Sequence, residues 1–230
     1  MAARGVFITG TDTGVGKTHV AAALLRALAA SGWRAVGMKP VAAGFEPGCS
    51  VNADVLALAA AGNVDAPLAE RNPYAFADAV APHLAAAAGG IAIDLAVIEA
   101  AARALCARAD ALIVEGAGGA LVPLDARSDM LDIAVRLDLP VLLVVGMRLG
   151  CLNHALLSAL AIRRRGLELA GWIANGLPPP MRLARLNTRA LAERLGAAPV
   201  AIFGVDRAPR FDVETLARLG FTGRTERDPC

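Results

Sequence analysis

The sequence predicts an α/β fold: a three-layer, doubly wound and mostly parallel sheet with helices on both faces. Short apolar runs alternate with longer helical patterns along the chain, which is the order of strands and helices in such a sheet. The apolar runs are continuous rather than alternating, as is typical of parallel strands buried on both faces. Hydrophobic residues make up 56% of the chain and charged residues 19%, enough for a large core.

The same patterns place each element. Strands are predicted at GVFITG, RAVGMKP, ALIVEG, PVLLVVG, LAGWIANG and APVAIFG. The first helix carries Val20, Leu24, Leu25 and Leu28 on one face, and Asn52 is the predicted N-cap of the second. Helices are predicted over Lys17–Ala30, Asn52–Ala61, Ala92–Ala109, Met130–Leu137, Leu152–Arg165 and Met181–Leu195.

Length and composition limit the domain count and the class of protein. We expect one domain over residues 1–230, with a frayed tail at about 221–230, because no repeat or linker divides the chain. The net charge of +2, with acids and bases interspersed, argues against a nucleic-acid surface. No apolar run reaches the roughly 18 residues of a membrane span, and the N-terminus runs straight into a strand pattern. The four cysteines form no Cys-x-x-Cys pair and are expected to be free thiols in the cytoplasm.

The segment GTDTGVGKT, Gly10 to Thr18, is a candidate phosphate-binding loop. Thr11 stands where the usual spacing has the first glycine, but Gly10 comes one residue earlier and can make the turn. The segment follows a strand and opens a helix, which directs backbone N–H groups and the positive helix end at a phosphate. A tight turn with an unrelated lysine is the alternative.

Each residue type in this loop has a distinct use. Gly14 and Gly16 allow close backbone approach, Lys17 can reach the β- and γ-phosphates, and the Thr18 hydroxyl can bind Mg²⁺. The sequence therefore indicates a P-loop NTPase type of fold.

Three charged residues at other element ends are candidates for the same site. Glu115 leaves a strand beside three glycines, at the sheet edge where open α/β sheets bind ligands, although an exposed acid in a glycine turn would look the same. Asp54 starts a helix, where the helix dipole alone could favour it. Lys39 ends a strand before Pro40 and could neutralise a transferring phosphoryl group, or extend into solvent without function. If Lys39 is catalytic, its removal is expected to leave thermal stability nearly unchanged.

In order along the chain, TGTDTGVGKT, KPVAAG, NPYAFADAVAPHLAA, VEGAGG, LVVGMRLGCLNHALL and GWIANG resemble the dethiobiotin synthetase family. The resemblance runs from the first strand to about residue 200 and is poor over the last thirty residues. It implies an ATP- and Mg²⁺-dependent ligase of biotin biosynthesis, active as a homodimer. The implied substrates are 7,8-diaminopelargonate, CO₂ and ATP. The implied route passes through a carbamate and a carbamic-phosphoric anhydride to the closed ureido ring.

The resemblance also implies roles for individual residues. Lys17 and Lys39 would be catalytic, holding the transferring phosphoryl group, and the metal ligands would be Thr18, Asp54 and Glu115. The implied nucleotide-binding residues are Gly14, Val15, Gly16, Lys17, Thr18, Asp54, Glu115, Gly116, Ala117, Gly118, Asn175 and Gly176. The implied substrate-binding residues are Thr13, Lys39, Ala43, Leu149, Gly150, Cys151 and Asn153.

The segment RLGCLNHALL carries a further expectation about the homodimer. A helix predicted from about Leu152 offers unpaired N–H groups that suit the substrate carboxylate. The substrate spans roughly 10 Å when extended, and one subunit's sheet edge is not expected to offer both the phosphate loop and this turn at that span. The resemblance implies that the turn comes from the neighbouring subunit of the homodimer, so we expect Gly150 to Asn153 to serve that subunit's site. A helix start that meets only water and its own cap is the alternative. His19 and His154 fall just inside predicted helices and are interpreted as structural.

The sequence departs from the family pattern at three places. Gly14 stands where some members have Glu, and Ala43 stands where a serine often contacts the diamine. Residues 201–211 lack the Gly-x-Ile-Pro pattern expected near the base, which leaves the nucleotide preference open.

The main alternative function is a partition or cell-division type ATPase that binds a partner protein or DNA. Such proteins carry a signature lysine five residues before the P-loop lysine, and this chain has Asp12 there. We expect Asp12 and Thr13 to face a small acceptor substrate instead. A GTPase is disfavoured because no Asn-Lys-x-Asp segment occurs.

Overall fold

The computed structural model describes residues 4–45, 48–205 and 209–222. Within them, a six-stranded sheet has the order β2-β5-β1-β6-β7-β8, with every adjacent pair parallel. A second, two-stranded parallel sheet pairs β3 with β4. The strands are β1 Arg4–Gly10, β2 Ala35–Met38, β3 Val41–Ala43, β4 Tyr74–Phe76, β5 Ala111–Gly119, β6 Val141–Met147, β7 Leu169–Gly176 and β8 Ala201–Phe203.

The helices cover both faces of the larger sheet. They are α1 Lys17–Ala30, α2 Ala53–Ala61, α3 Leu68–Arg71, α4 Pro82–Ala88, α5 Leu95–Arg108, α6 Met130–Leu137, α7 Cys151–Arg164, α8 Ala184–Leu195 and α9 Val213–Arg218. Val6 and Ile8 of β1 pack with α1 on one face, while Phe7 between them packs with α5 and α6 on the other. The predicted three-layer fold is therefore confirmed.

All six predicted strands and all six predicted helices are present. The helices Lys17–Ala30 and Met130–Leu137 have the predicted bounds, and the ends of the other elements differ by a few residues. α5 begins at Leu95 rather than Ala92, because the Asp94 side chain caps it by accepting from the Ala96 amide at 2.7 Å. α8 begins at Ala184 rather than Met181, after Leu183 in the left-handed region. β3, β4 and the short helices α3, α4 and α9 were not predicted, since segments this short show no clear periodicity.

The strand predicted to end at Gly116 extends further. β5 continues to Gly119, and its register with β1 is irregular after Glu115, which pairs with Ile8 before Gly119 pairs with Gly10. Glu115 therefore lies within the strand, four residues before its end, and is buried. The alternative interpretation, an exposed acid in a glycine turn, is wrong.

The C-terminal region packs onto the sheet at Phe221. Its ring is 4% exposed and contacts Trp33 edge-to-face with centroids 5.8 Å apart, while Arg4 donates to the Gly220 and Thr222 carbonyls. Phe221 and Thr222, the first two residues of the expected frayed tail, are therefore held against the rest of the fold. Residues 223–230, which hold the rest of that prediction, lie outside the described residues. Across the described part of the chain, no helix has the length and apolar character that crossing a membrane requires.

Candidate active site

The P-loop joins β1 to α1 with its backbone in the conformation that glycine permits. Gly14 and Gly16 have φ of 71° and 90°, and Gly16 is the N-cap of α1. A Cβ on Gly16 would lie 2.3 Å from Asn175 Nδ2, the atom that donates to the Val15 carbonyl at 2.8 Å. Asn175, at the end of β7, therefore holds the loop backbone directly. Its predicted contact with the nucleotide base stays a prediction.

Lys17 lies folded against its own loop. Its side chain reaches back so that Nζ donates to the Asp12 carbonyl at 3.0 Å, and the residue is only 6% exposed. Burial lowers the pKa of Lys17 from 10.5 to about 8; the charge of Glu115 opposes this shift and the charge of Lys39 adds to it. An anion entering the loop would meet this ammonium and favour its charged form.

Thr18, Lys39, Asp54 and Glu115 converge beside the loop from four separate elements. The Thr18 hydroxyl donates to Glu115 Oε1 at 2.8 Å, and Lys39 Nζ donates to the same oxygen at 2.7 Å. Lys39 Nζ also donates to Asp54 Oδ2 at 2.5 Å. Lys39 is 5% exposed and Glu115 is 1% exposed, so this pair is a buried ion pair.

Lys39 and Asp54 each stabilise the charged form of the other. Burial alone would raise the pKa of Asp54, but the charge and hydrogen bond of Lys39 outweigh it and the pKa is lowered. Burial alone would likewise lower the pKa of Lys39, but Glu115 and then Asp54 outweigh it and the pKa is raised. The interpretation of Lys39 as a solvated lysine is wrong, because its ammonium lies between two carboxylates.

The donor set suits magnesium bound together with phosphates. Thr18, Asp54 and Glu115 offer hydroxyl and carboxylate oxygens, the ligands that Mg²⁺ prefers. Glu115 Oε2 is buried and has no hydrogen-bond partner, so one carboxylate oxygen is free to bind a cation. Within residues 4–45, 48–205 and 209–222, no cluster of three or more His, Cys, Asp or Glu residues could cage a metal. The residues thus fit a cation whose remaining ligands come from the nucleotide and from water.

A cavity of about 720 Å³ opens over the cluster and has two unlike walls. The P-loop and the charged cluster form one wall. The other is mostly apolar and contains Ala43, Ala79, Val80, Ala81, Pro82, Ala117 and Val122. Thr13, Gly14, Gly16, Gly118 and His19 also line the cavity. Residues 79–82 and Val122 were not predicted as site residues, although the family segment NPYAFADAVAPHLAA contains the first four. His19, interpreted from the sequence as structural, also lines the cavity.

Other predicted residues lie away from this cavity or make different contacts. Asp12, expected to face the substrate, pairs with Arg148 and accepts from the Thr13 amide at 2.7 Å.

The residues expected to bind the substrate carboxylate lie at the surface. Leu149 is 95% exposed and Asn153 is exposed. The turn made by Gly150, with φ of 94°, starts α7 but does not line the cavity. Cys151 is buried against the core.

Two glycines predicted to bind nucleotide are needed for close packing. A Cβ on Gly116 would lie 2.9 Å from the Phe7 ring, and one on Gly176 would lie 2.9 Å from the Phe203 carbonyl. Glycine at these two positions is therefore explained by packing, whatever ligand the strand ends bind.

Fold and site together define a P-loop nucleotide-binding α/β protein. An AAA domain family model matches residues 4–205. The ATP-dependent dethiobiotin synthetase BioD of Nitrosospira multiformis is 52% identical over 216 residues, 94% of each chain. That of Aromatoleum aromaticum is 54% identical over 196 residues, 84% of this chain and 87% of the relative. The chain belongs to the family of ATP-dependent dethiobiotin synthetases, which are ligases of biotin biosynthesis.

The sequence resemblance is thus confirmed and extends further than the first 200 residues or so that it was expected to cover. Among solved structures, the septum site-determining protein MinD of Pyrococcus horikoshii, complexed with Mg-ADP, has a TM-score of 0.55 at 19% identity. That match covers 96% of this chain and 87% of the other. A ParA family ATPase of Chlorobium tepidum has a TM-score of 0.54 at 12% identity, with 95% and 89% covered. These two likenesses show the fold alone.

Proposed function

We propose that the protein closes the ureido ring of dethiobiotin from 7,8-diaminopelargonate and CO₂, using ATP and Mg²⁺. The observation that carries this proposal is the two-walled cavity. One wall brings the P-loop together with Lys39, Asp54 and Glu115, as phosphoryl transfer requires. The apolar wall suits the methylene chain of an extended diamine.

The chemistry proceeds in three steps. One amine of the substrate adds to CO₂ and loses a proton, which gives a carbamate. The carbamate oxygen then attacks the γ-phosphorus of ATP, so that ADP leaves and a carbamic-phosphoric anhydride forms. The second amine attacks the carbamoyl carbon, closes the ring and releases phosphate.

The roles of the protein groups in these steps are positioning and charge neutralisation. Lys17 and Lys39 hold the oxygens of the transferring phosphoryl group, and Lys39 must give up part of its contact with Asp54 and Glu115 to do so. Thr18, Asp54 and Glu115 would hold Mg²⁺, which neutralises charge on the phosphates. Burial of Lys39 and Glu115 keeps water away and strengthens these interactions.

The proposed substrate carboxylate anchor is Gly150 to Asn153 of the neighbouring subunit in a homodimer. The almost fully exposed Leu149 supports this arrangement, as does the exposed apolar surface at Leu157 and Leu160 of α7 and Leu186 of α8. A second copy of the chain would cover these leucines and bring the glycine turn to the open end of a cavity. Asn153 would add a side-chain donor.

We further propose that the protein works in the cytoplasm without a membrane or nucleic-acid partner. The net charge of +2 and the free thiols of Cys49, Cys106 and Cys151 support this placement. Asn175 remains the proposed contact for the nucleotide base, and Gly176 remains a proposed nucleotide-binding residue.

The test is ATP turnover with and without the diamine and bicarbonate as the source of CO₂. We expect ADP release to depend on both, together with one dethiobiotin formed per ATP consumed. ATP turnover that does not depend on the diamine but increases with DNA or a protein partner would support the partition-type ATPase instead.

The shared site is tested separately by mixing two inactive variants. One chain carries Lys17→Gln and the other carries substitutions at Gly150 and Asn153. If the sites are composite, subunit exchange restores part of the activity, because one site of each mixed dimer has both intact halves. No recovery despite demonstrated exchange would place the carboxylate anchor within a single chain.

A further inference from the structure

Lys39 lies at a junction where the backbone leaves one sheet and enters the other. The pairing of β2 with β5 ends at Met38, and the pairing of β3 with β4 begins at Val41. Lys39 and Pro40 therefore belong to neither ladder, and proline offers no N–H. The peptide groups that set the direction of the Lys39 side chain need partners from elsewhere.

Those partners come from two consecutive residues, Arg71 at the end of α3 and Asn72 just after it. The Lys39 amide donates to the Arg71 carbonyl at 2.8 Å. The Asn72 side chain donates from Nδ2 to the Lys39 carbonyl at 2.7 Å and to the Tyr74 carbonyl at 2.9 Å. Asn72 is 6% exposed, so these are buried hydrogen bonds that water does not readily replace.

Arg71 is itself fixed to β2, the strand that ends just before Lys39. Its buried guanidinium donates to the carbonyls of Gly37 at 3.4 Å, Val64 at 2.5 Å and Ala66 at 3.3 Å. The backbone on either side of Asn72 is thus anchored on β2 by Arg71 and on β3 by the pairing of Tyr74 with Val41. The side-chain amide of Asn72, held between these two anchors, fixes the Lys39 carbonyl by its hydrogen bond.

We propose that Asn72 is a positioning residue that fixes where the Lys39 ammonium lies relative to the transferring phosphoryl group. This inference rests on the proposed function and adds a residue that touches no substrate. Without the Asn72 donor, the Lys39 carbonyl loses its buried partner and the junction peptide can rotate. Because the lysine side chain amplifies a small backbone rotation, Nζ moves away from the place that phosphoryl transfer requires.

Asn63 provides a control at the opposite end of β2, where it makes the same number of hydrogen bonds to backbone from an exposed position. Its Oδ1 accepts from the Ala35 amide at 2.8 Å, and its Nδ2 donates to the Trp33 carbonyl at 2.9 Å. Asn63 makes both of its hydrogen bonds at the entry to β2, whereas Asn72 makes one just after the exit of β2, at Lys39, and one at Tyr74 of β4. Only Asn72 lies beside Lys39.

The experiment compares Asn72→Ala with Asn63→Ala at equal folded protein, measured by circular dichroism. We expect Asn72→Ala to lower kcat about 10- to 100-fold while the KM for ATP changes less than about threefold, because about 1 Å of misplacement can cost that much. Asn63→Ala is expected to lower the melting temperature and leave kcat per folded molecule within about twofold. Asn72→Ser, which keeps one donor, should fall between wild type and Asn72→Ala, and it supplies a second variant if the alanine variant folds poorly.

A double-mutant cycle with Lys39→Gln tests whether Asn72→Ala lowers kcat by displacing Lys39. If Asn72 acts through Lys39, the double variant is about as slow as Lys39→Gln alone, because there is no ammonium left to misplace. Multiplied losses in the double variant, or equal kcat values for Asn72→Ala and Asn63→Ala, would overturn the inference. A wild-type enzyme without diamine-dependent turnover would instead reject the proposed function, so the two failures are distinguishable.

Discussion

Replacing Lys39 with methionine should destabilise the protein even before any ligand binds. Lys39→Met keeps the apolar length of the side chain and removes its charge. Among the described residues, Lys39 supplies the one cation that is hydrogen-bonded to Glu115, which is 1% exposed. Breaking a buried pair from one side costs about 3–5 kcal/mol, because the remaining charge is left without compensation.

Lys39 also pairs with the carboxylate of Asp54, and the exposure of Asp54 decides whether losing this pair adds to the free-energy cost of Lys39→Met. The Asp54 side chain is 42% exposed, so its pair with Lys39 adds little to the free energy of unfolding. We therefore assign the whole effect to Glu115. For a chain of this size, about 2–4 °C per kcal/mol gives a drop in melting temperature of about 6–20 °C. The burial thus reverses the sequence-based expectation that removing Lys39 leaves stability nearly unchanged.

The assay is urea unfolding of the ligand-free protein in EDTA, followed by circular dichroism. The double variant Lys39→Met/Glu115→Gln serves as the control, since it removes the uncompensated charge and should recover most of the lost free energy. A cost below about 1 kcal/mol for Lys39→Met, or a double variant no more stable than the single one, would refute the argument from buried charge.

Three further predictions concern the phosphate loop and the metal. Lys17→Gln should lower turnover by about 100- to 1,000-fold with folding intact, and near-normal activity would remove Lys17 from the transition state. Glu115→Gln should weaken apparent Mg²⁺ affinity, with partial rescue by excess magnesium; an unchanged magnesium titration would exclude it as a ligand. Gly14→Ala, at φ 71° in open space, should lower the unfolding free energy by about 1–2 kcal/mol. Gly16→Ala should cost more because its Cβ also meets Asn175, so equal losses on thermal unfolding would contradict the clash.

The pH dependence of nucleotide binding follows from the lowered pKa of Lys17. At pH 9, above the pKa of about 8, the free protein carries mostly neutral Lys17. A bound triphosphate favours the ammonium, so binding should take up part of a proton at pH 9 and almost none at pH 6.5. Calorimetry in two buffers with different ionisation enthalpies measures this uptake. An uptake that does not grow between these pH values would contradict the shifted pKa.

The sequence by itself determined the elements whose signals are local. Apolar periodicity predicts the strands and the helix Lys17–Ala30, and glycines at fixed spacing predict the P-loop. The structure reproduces the predicted bounds of these strands and this helix within a few residues. The family could be identified for the same reason, because its segments stand in order along the chain. Asp54 and Glu115 could be named as site candidates, but not their distance from Lys39.

Only the tertiary structure decided how the candidate site is assembled. The cluster forms because parallel strands bring their carboxyl ends to one edge of the sheet, whatever their separation in sequence. The pairing of Met38 with Val114 then places Lys39 beside the buried Glu115, which no pattern along the chain encodes. The same holds for Asn72 and Asn175, whose amides bind the backbone of distant loops. A buried asparagine and a solvated one look alike in a sequence, because their difference lies in the carbonyl groups that folding brings within reach.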